Sequence, residues 1–164
     1  MQLTLTPMTE TVALAILHWQ YPEPYALYNL KVENEAEEIR CFLDPRNDYN
    51  ALHDETGRLV GFCCFGQEAR VPGGDYSEEA LDIGLGMRPD LIGQGFGGAF
   101  LAAILAFADQ EFTPKRLRAT IAMFNGRSMR VFAKAGFQPV QTFLSRSESP
   151  LEFVVMVKEV DSRR

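Results

Sequence analysis

The chain has 164 residues, of which 46% are apolar and 23% are charged, and its formal net charge is −6 at pH 7. This balance is typical of a globular domain and excludes a fibrous, low-complexity or disordered chain. The length suits one domain, so we predict a single domain over residues 1–164.

No apolar run approaches the ~20 residues that cross a bilayer. The run at Val12–Leu17 lacks a preceding basic segment, so we predict no signal peptide and expect a cytoplasmic protein.

The cysteines and histidines predict no disulfide framework and no metal site. Cys63 and Cys64 are neighbours on a predicted strand, so their side chains should point to opposite faces, and together with Cys41 we expect them to be reduced thiols. The chain has only two histidines and no Cys-x-x-Cys or His-x-x-x-His spacing.

Charge is distributed unevenly along the chain. Residues 1–88 carry 15 acidic and six basic side chains, whereas residues 89–164 carry seven acidic and ten basic ones. Seven of those bases lie within Pro114–Arg146, which contains no acid. The acidic total argues against a general nucleic-acid binder. The basic segment suits a small polyanionic ligand, although a solvated basic face explains it equally well.

The N-terminal third predicts one short strand and two helices. The strand is Gln2–Thr6, and the first helix, Thr11–Leu17, is capped by Thr9. The second helix is Asn34–Phe42, which ends before Asp44-Pro45. The loop between the helices carries four aromatic side chains, Trp19, Tyr21, Tyr25 and Tyr28.

The remaining chain predicts a hairpin and then a mixture of strands and helices. The hairpin joins Tyr49–His53 to Arg58–Gly66 across a short polar turn, and a strand at Ala80–Met87 follows a loop. The helix at Ala99–Phe112 has no charge before Asp109, so we expect it to be buried on all sides. The last elements are a strand at Leu117–Met123, a helix capped by Asn125 and ended by Gly136, and an antiparallel pair, Phe137–Ser145 and Leu151–Glu159. This order predicts a mixed α/β domain and excludes a regularly alternating parallel sheet.

The sharpest local feature is the glycine-rich segment Gly93–Gly98, which joins the strand at Ala80–Met87 to the uncharged helix. The first N–H groups of a helix have no intrahelical acceptor, and glycines let a phosphate approach them. The segment therefore predicts a diphosphate cradle, with close helix–sheet packing as the alternative. Its glycines also fit the dinucleotide fingerprint Gly-x-Gly-x-x-Gly, but the next strand lacks the acid that would hold a ribose. A dinucleotide-binding oxidoreductase is therefore the less favoured reading.

Two motifs about 30 residues apart resemble those of the GCN5-related N-acetyltransferases, the GNAT superfamily. The family's loop, Arg/Gln-x-x-Gly-x-Gly/Ala after a strand and a proline, is matched by Ile92–Gly97. Its second signature, Asn-x-x-Ser/Ala-x-x-Leu/Val-Tyr-x-Lys/Arg-x-Gly-Phe, is matched by Asn125–Phe137. Ile92 departs from Arg/Gln, Thr120 stands where many members carry glutamate, and Phe132 replaces a tyrosine that protonates the departing thiolate in many members.

The resemblance covers residues 49–160 and implies both a fold and an activity. The fold would be a GNAT-like mixed α/β fold with a mostly antiparallel sheet of six to seven strands and about four helices. The activity would be an acetyl-CoA-dependent transfer of an acetyl group to a primary amine of a small molecule or peptide. Phe132 keeps a non-catalytic acyl-CoA-binding module as the alternative. We predict no nucleic-acid or membrane partner, and a monomer or a homodimer.

The resemblance also implies site residues. The backbone of β-strand residues before the loop would hold pantetheine, with the Met87 N–H stabilising the oxyanion. We rank Asp82 and then Glu79 as general base acting through a water, each also explicable as an ordinary solvated or hydrogen-bonded acid, and Ser128 as hydrogen-bond donor to the leaving group. The predicted cofactor-binding residues are Leu85, Gly86, Met87, Gly93, Gln94, Gly95, Phe96, Gly97, Gly98, Asn125, Ser128 and Arg130.

Two side-chain groups complete the predicted site. Arg127, Arg130 and Lys134 share one face of a helix, where a coenzyme A phosphate would bind, while Met129, Phe132 and Ala133 should face the core. The aromatic loop with Glu23, and the acids Glu78, Glu79 and Asp82 opposite, would suit a cationic amine. A loop packed by its own aromatic rings is the alternative.

Overall fold

A computed structural model describes residues 1–30 and 32–161 of the chain. The described residues form seven β-strands and four α-helices, which confirms the predicted mixed α/β class. In chain order they are β1 (Thr4–Pro7), α1 (Glu10–Leu17), α2 (Glu35–Leu43), β2 (Asn50–His53), β3 (Leu59–Phe65), β4 (Leu81–Met87), α3 (Gly97–Phe112), β5 (Arg116–Ala122), α4 (Gly126–Lys134), β6 (Gln138–Leu144) and β7 (Glu152–Glu159). The strand order is β1-β2-β3-β4-β5-β7-β6.

The chain divides into two compact units, and β4 contributes residues to both. The first unit contains Met1–Cys64 and Leu85–Phe96, and the second contains Phe65–Gly84 and the chain from Gly97 onward. The single domain that the length suggests therefore stays a prediction. Among the described residues, no helix is both long and apolar enough to cross a membrane.

In the first unit, β1 pairs antiparallel with β2, and β2 pairs antiparallel with β3. The β2–β3 turn confirms the predicted hairpin, since the Asp54 carboxylate accepts hydrogen bonds from the N–H groups of Thr56 and Arg58 at 2.9 and 3.0 Å. A hydrogen bond from the Thr56 hydroxyl, together with these N–H bonds, lowers the pKa of Asp54. The turn is therefore held by local contacts that the short polar sequence encodes.

The core of the first unit forms between its two helices and β3. Ala13, Ile16 and Phe42 are buried, and partly buried Trp19 and Phe62 pack against them. The predicted cap of α1 is confirmed, because the Thr9 hydroxyl accepts a hydrogen bond from the Val12 N–H at 3.3 Å. Trp19 thus packs against the core, with its ring centroid 6.2 Å from that of Phe62.

In the second unit, β5 is the central strand. It pairs antiparallel with β7 along its whole length, and β7 pairs antiparallel with β6, which confirms the predicted C-terminal strand pair. On its other edge β5 is parallel to β4, with Leu81 opposite Leu117 and Asp82 opposite Arg118. That ladder ends at the second pair, so Ile83 and Gly84 continue β4 without a register partner on β5.

Two predictions about helix burial were wrong. α3 buries one face only, formed by Phe100, Leu101, Ile104 and Ala108, while Ala99, Ala102 and Ala106 are exposed. Alanine is the best helix former and tolerates water, so the absence of charge did not require burial on all sides. Similarly Ala133 of α4 is exposed rather than facing the core.

The cysteines confirm the predicted thiol state. Cys63 and Cys64 are both buried, and Cys41 is half-buried, all three without a disulfide bond. Burial raises the pKa of the Cys63 thiol well above its usual range. A neutral, inaccessible thiol is a poor nucleophile, so Cys63 acts as a small apolar side chain.

Candidate active site

The glycine-rich segment leads from β4 into α3 and owes two of its glycines to backbone conformation. Gly93 and Gly95 have φ angles of 80° and 85°, in the left-handed region that favours glycine. A Cβ atom on Gly95 would meet nothing within 4 Å, so no neighbouring side chain requires a glycine there. These two residues turn the chain so that it can enter the helix.

The first two residues of α3 have different reasons for being glycine. A Cβ atom on Gly97 would lie 2.9 Å from Cγ2 of Val131 on α4, so this glycine permits the two helices to approach. A Cβ atom on Gly98 would meet nothing within 4 Å, and its φ is not in the left-handed region. The packing alternative therefore explains Gly97 and leaves Gly98 without a structural reason.

Gly98 borders a cavity of about 330 Å³. Its walls are mostly apolar residues of α3 and α4, and two lysines, Lys134 and Lys158, complete the lining. An apolar groove with cationic groups suits a ligand that joins a flat or apolar part to an anionic group. The lining residues are Gly98, Leu101, Ala102, Leu105, Val131, Lys134, Ala135 and Lys158.

The second motif forms the capped helix α4. The Asn125 side chain accepts a hydrogen bond from the Ser128 N–H at 3.2 Å, which confirms the predicted cap. Gly136 has a φ of 100°, as expected for a residue that ends a helix. Arg130 is exposed on this helix, with the neighbouring bases Arg127 and Lys134. The basic face is therefore accessible to an anionic ligand.

Phe132 belongs to the core. Its side chain is 3% exposed and contacts Phe137 edge to face, with ring centroids 5.0 Å apart. It supplies packing but no hydroxyl, at the position where the resemblance places a proton-donating tyrosine. A side chain that protonates the departing thiolate would therefore have to be another residue of the chain.

The end of β4 is fixed within the first unit. The Tyr21 hydroxyl donates a hydrogen bond of 2.8 Å to the Met87 carbonyl, and the Arg88 N–H donates one of 2.9 Å to the Val60 carbonyl. A Cβ atom on Gly86 would collide with the ring of Phe62, so packing requires this glycine. Leu85, Gly86 and Met87 thus lie on a strand end whose peptide planes are held in place.

Asp82 lies in a buried cluster with two arginines. Its side chain is 2% exposed, and both its oxygens accept hydrogen bonds from Arg118, at 2.7 and 2.8 Å. The Arg70 Nε donates a third bond at 2.8 Å. Because both oxygens are already occupied by guanidinium groups, this geometry favours a structural carboxylate over the predicted general base.

The other predicted acids lie at the surface. The Glu78 carboxylate forms a 2.7 Å ion pair with Arg116. Arg116 also forms a 2.6 Å ion pair with Glu159. Glu79 is exposed. Of the acids predicted to face a cationic amine, Glu79 is therefore the one that keeps an accessible carboxylate with no arginine partner among the described residues.

Tyr76 was not among the residues predicted from the sequence. Its ring lies beneath the guanidinium carbons of Arg118 and Arg70, 4.9 and 5.3 Å from the ring centroid. Its hydroxyl oxygen is 2.9 Å from Oγ1 of Thr120 and accepts a 2.9 Å hydrogen bond from the Val71 N–H. The residue lies in an irregular loop, where no periodic pattern marks a side chain as important. The only sequence feature that could have indicated Tyr76 was the presence of a single tyrosine in a polar loop.

The predicted aromatic loop packs largely on itself. Tyr21 meets Tyr28 edge to face with centroids 6.3 Å apart, and Tyr25 lies nearly parallel to Tyr28 at 6.4 Å. Tyr28 remains 38% exposed. This arrangement favours the alternative of a loop organised by its own rings, with one tyrosine face open to water.

Comparison with known proteins defines the class of this chain. A family model described as the acetyltransferase (GNAT) domain matches residues 2–138, most of the chain. The chain belongs to this family of acetyltransferases. No curated protein matches the sequence.

Solved structures show the same fold at low sequence identity. A chimera of spermidine N-acetyltransferase SpeG from Vibrio cholerae and hSSAT aligns with a TM-score of 0.73 and 15% identity, over 97% of this chain and 96% of that one. A GNAT-family acetyltransferase from Bacillus anthracis aligns with a TM-score of 0.73 and 17% identity, over 97% and 95%. The N-acetyltransferase PseH of Campylobacter jejuni aligns with a TM-score of 0.65 and 13% identity, over 97% and 99%. At such identities the likeness concerns the fold alone.

Proposed function

We propose that this protein transfers an acetyl group from acetyl-CoA directly to a primary amine of a small molecule or a peptide. Membership of the acetyltransferase family supports the reaction class. The observation that carries the choice of coenzyme A is Gly98, which is glycine without a conformational or packing reason and borders a cavity with two lysines. Space kept open beside a helix N-terminus is what a diphosphate needs.

The described residues fit coenzyme A chemically. Backbone N–H groups of the glycine-rich segment and the start of α3 would hold the diphosphate without side-chain charge. Asn125 and Ser128 at the start of α4, and the exposed Arg130, would contact the remainder of the coenzyme. Lys134 and Lys158 would meet an anionic group in the cavity. When bound, acetyl-CoA supplies the thioester carbonyl that the amine attacks.

The chain's own groups would then perform three tasks. The Met87 N–H would stabilise negative charge on the carbonyl oxygen, since Tyr21 and Arg88 fix the strand end that carries it. Glu79 would accept the amine proton through a water, as the exposed acid of the predicted pair. Ser128 would donate a hydrogen bond to the leaving sulfur. A thiol has a pKa near ~8.5, so its thiolate leaves readily even with weak assistance.

A thiol-release assay over a panel of amines tests this function. The panel contains polyamines, aminoglycosides, amino acids and peptides with free N-termini, and a thiol reagent detects free coenzyme A. We expect calorimetry to show acetyl-CoA binding with a Kd in the micromolar range, about −7 to −8 kcal/mol, and at least one amine to raise the release of thiol. Absence of binding at millimolar acetyl-CoA contradicts the proposal.

The same assay separates a second candidate function, an acyl-CoA-binding module without catalysis. The buried Phe132, which brings no hydroxyl to the site, favours this alternative. It predicts acetyl-CoA binding without thiol release for every amine of the panel. Binding together with amine-dependent release excludes it.

A further inference from the structure

Tyr76 and Thr120 lie where β4 and β5 separate. The β4–β5 ladder ends at Asp82 and Arg118, and Thr120 follows Arg118 by two positions, so both β5 side chains lie on one face of the strand. Tyr76 covers that face, with its ring against the Arg118 guanidinium and its hydroxyl 2.9 Å from that of Thr120. Ile83 and Gly84 of β4 follow that ladder without a register partner on β5, so the hydroxyl pair lies where the two strands leave backbone groups of β4 available to a ligand.

The pair is held rigidly by the buried ion cluster. Arg118 is fixed by two bonds to Asp82 and a 2.9 Å bond from its Nη1 to the Glu78 carbonyl. Arg70 contacts the same tyrosine ring. The Val71 N–H fixes the phenol oxygen at 2.9 Å. Groups held in this way require little reorganisation when a reaction moves charge past them.

The hydrogen count of the pair leaves one hydrogen for a ligand. Two hydroxyl groups carry two hydrogens, and one of these lies in the bond between Tyr76 and Thr120. The Val71 N–H is a donor, so it uses an oxygen lone pair and not a hydrogen. Among the described residues the second hydrogen has no acceptor. Either hydroxyl can donate to the other, so the uncommitted hydrogen can lie on either oxygen. Both residues are only half-buried.

We propose that Tyr76 and Thr120 are the proton-relay pair of the acetyl transfer, an inference that rests on the proposed function. One hydroxyl oxygen accepts the proton that the amine nitrogen loses as it bonds to the carbonyl carbon. A hydrogen then crosses the Tyr76–Thr120 bond, and the second oxygen gives its hydrogen to the sulfur, which has taken the electron pair of the breaking carbon–sulfur bond. Both hydroxyls end neutral, because nitrogen has lost one proton and sulfur has gained one. The pair does the work for which Phe132 has no hydroxyl. In this relay it takes the amine proton in place of Glu79, and it protonates the sulfur to which Ser128 donates only a hydrogen bond.

Conservative variants test the relay with acetyl-CoA and the panel amine that the wild-type protein acetylates fastest. Tyr76→Phe keeps the ring against the two guanidinium groups and removes only the oxygen. We expect it and Thr120→Val each to lower kcat by about 10²-fold or more, with KM for acetyl-CoA unchanged. Because the two hydroxyls act as one unit, the double variant should be no slower than the slower single variant. Thr120→Ser, which keeps a hydroxyl, should restore kcat to near the wild-type value.

Ser77→Ala is the matched control, since it removes a hydroxyl of the same loop that bonds to Asp75, and its kcat should equal that of the wild type. If Tyr76→Phe does not fold, Thr120→Val and Thr120→Ser carry the test. A wild-type protein that releases no thiol with any amine overturns the proposed function and the relay together. A wild-type protein that does release thiol, with kcat of Tyr76→Phe or Thr120→Val within about threefold of it, overturns the relay alone.

Discussion

The hydroxyl of Tyr21 donates a 2.8 Å hydrogen bond to the carbonyl of Met87, 66 residues further along the chain. The Tyr21 N–H in turn donates to the Asn29 side chain at 2.6 Å. A residue of the aromatic loop therefore fixes the end of the strand that the proposed function assigns to pantetheine and the acetyl carbonyl. The bond joins the loop predicted for the acceptor to the backbone predicted for the coenzyme.

Removing this hydroxyl should loosen the strand end and leave the loop's rings in place. We expect Tyr21→Phe to raise KM for acetyl-CoA several-fold and to lower the free energy of unfolding by about 1 kcal/mol, because a partly buried carbonyl loses its donor. Steady-state kinetics and urea unfolding measure the two effects. An unchanged KM with an unchanged unfolding midpoint would show that the bond does not position the strand.

Tyr21 also predicts a pH dependence. Burial, and to a smaller degree the neighbouring Tyr28, raise the pKa of Tyr21 well above its usual value of ~10. The folded state thus holds the phenol proton more tightly than the unfolded state, so this contribution to stability is complete below pH ~10 and falls as pH rises beyond that value. Urea unfolding between pH 9 and pH 11 should show a smaller loss of stability for Tyr21→Phe than for the wild type. Equal losses of stability in the two proteins would contradict the assignment of this pH dependence to Tyr21.

The glycines at the start of α3 predict opposite effects for two neighbouring substitutions. Gly98→Ala places a methyl group in open space, so the free energy of unfolding should stay equal or rise by up to about 1 kcal/mol, while coenzyme A affinity falls at least tenfold. Gly97→Ala meets Val131 and should cost about 1–3 kcal/mol of stability. Thermal unfolding and calorimetry of both variants provide the comparison. Wild-type affinity in Gly98→Ala would leave this glycine without a role in the coenzyme site.

The buried ion cluster predicts that Asp82 is needed for folding. Asp82→Asn leaves Arg118, whose side chain is 4% exposed, without its charged partner, and breaking such a buried pair costs about 3–5 kcal/mol. Asp90→Asn is the control, because Asp90 is 63% exposed in its pair with Arg88 and should change stability little. Chemical denaturation measures both. An Asp82→Asn protein of unchanged stability that has lost kcat would instead restore Asp82 as the general base.

The sequence predicted features that depend on local contacts. The Asn125 cap, the φ of Gly136 and the Asp54 turn each involve residues within a few positions, where residue type and backbone geometry are directly linked. It also predicted the mixed α/β class from the order of its elements, and the GNAT-like fold through the resemblance. The one-sided burial of α3 was missed, because alanine is equally compatible with a buried and a solvated helix face.

The candidate site was predictable only in its backbone part. Asp82 was recognised as an acid, but its partners Arg70 and Arg118 are 12 and 36 positions away. Tyr76 and Thr120 are 44 positions apart. Periodicity and spacing do not determine which side chains of different elements meet, so they could not show that Asp82 pairs with two arginines or that two hydroxyls are hydrogen-bonded. These are properties of tertiary packing.

The 2.9 Å approach between a Cβ on Gly97 and Val131 ties together two positions that the sequence separates by 34 residues. A larger residue at position 97 is compatible with the same spacing of α3 and α4 only when position 131 becomes smaller. The double substitution Gly97→Ala with Val131→Ala should therefore be more stable than the sum of its single effects implies. Across homologous sequences the two positions should covary in volume, with alanine or serine at position 97 accompanied by a small residue at position 131.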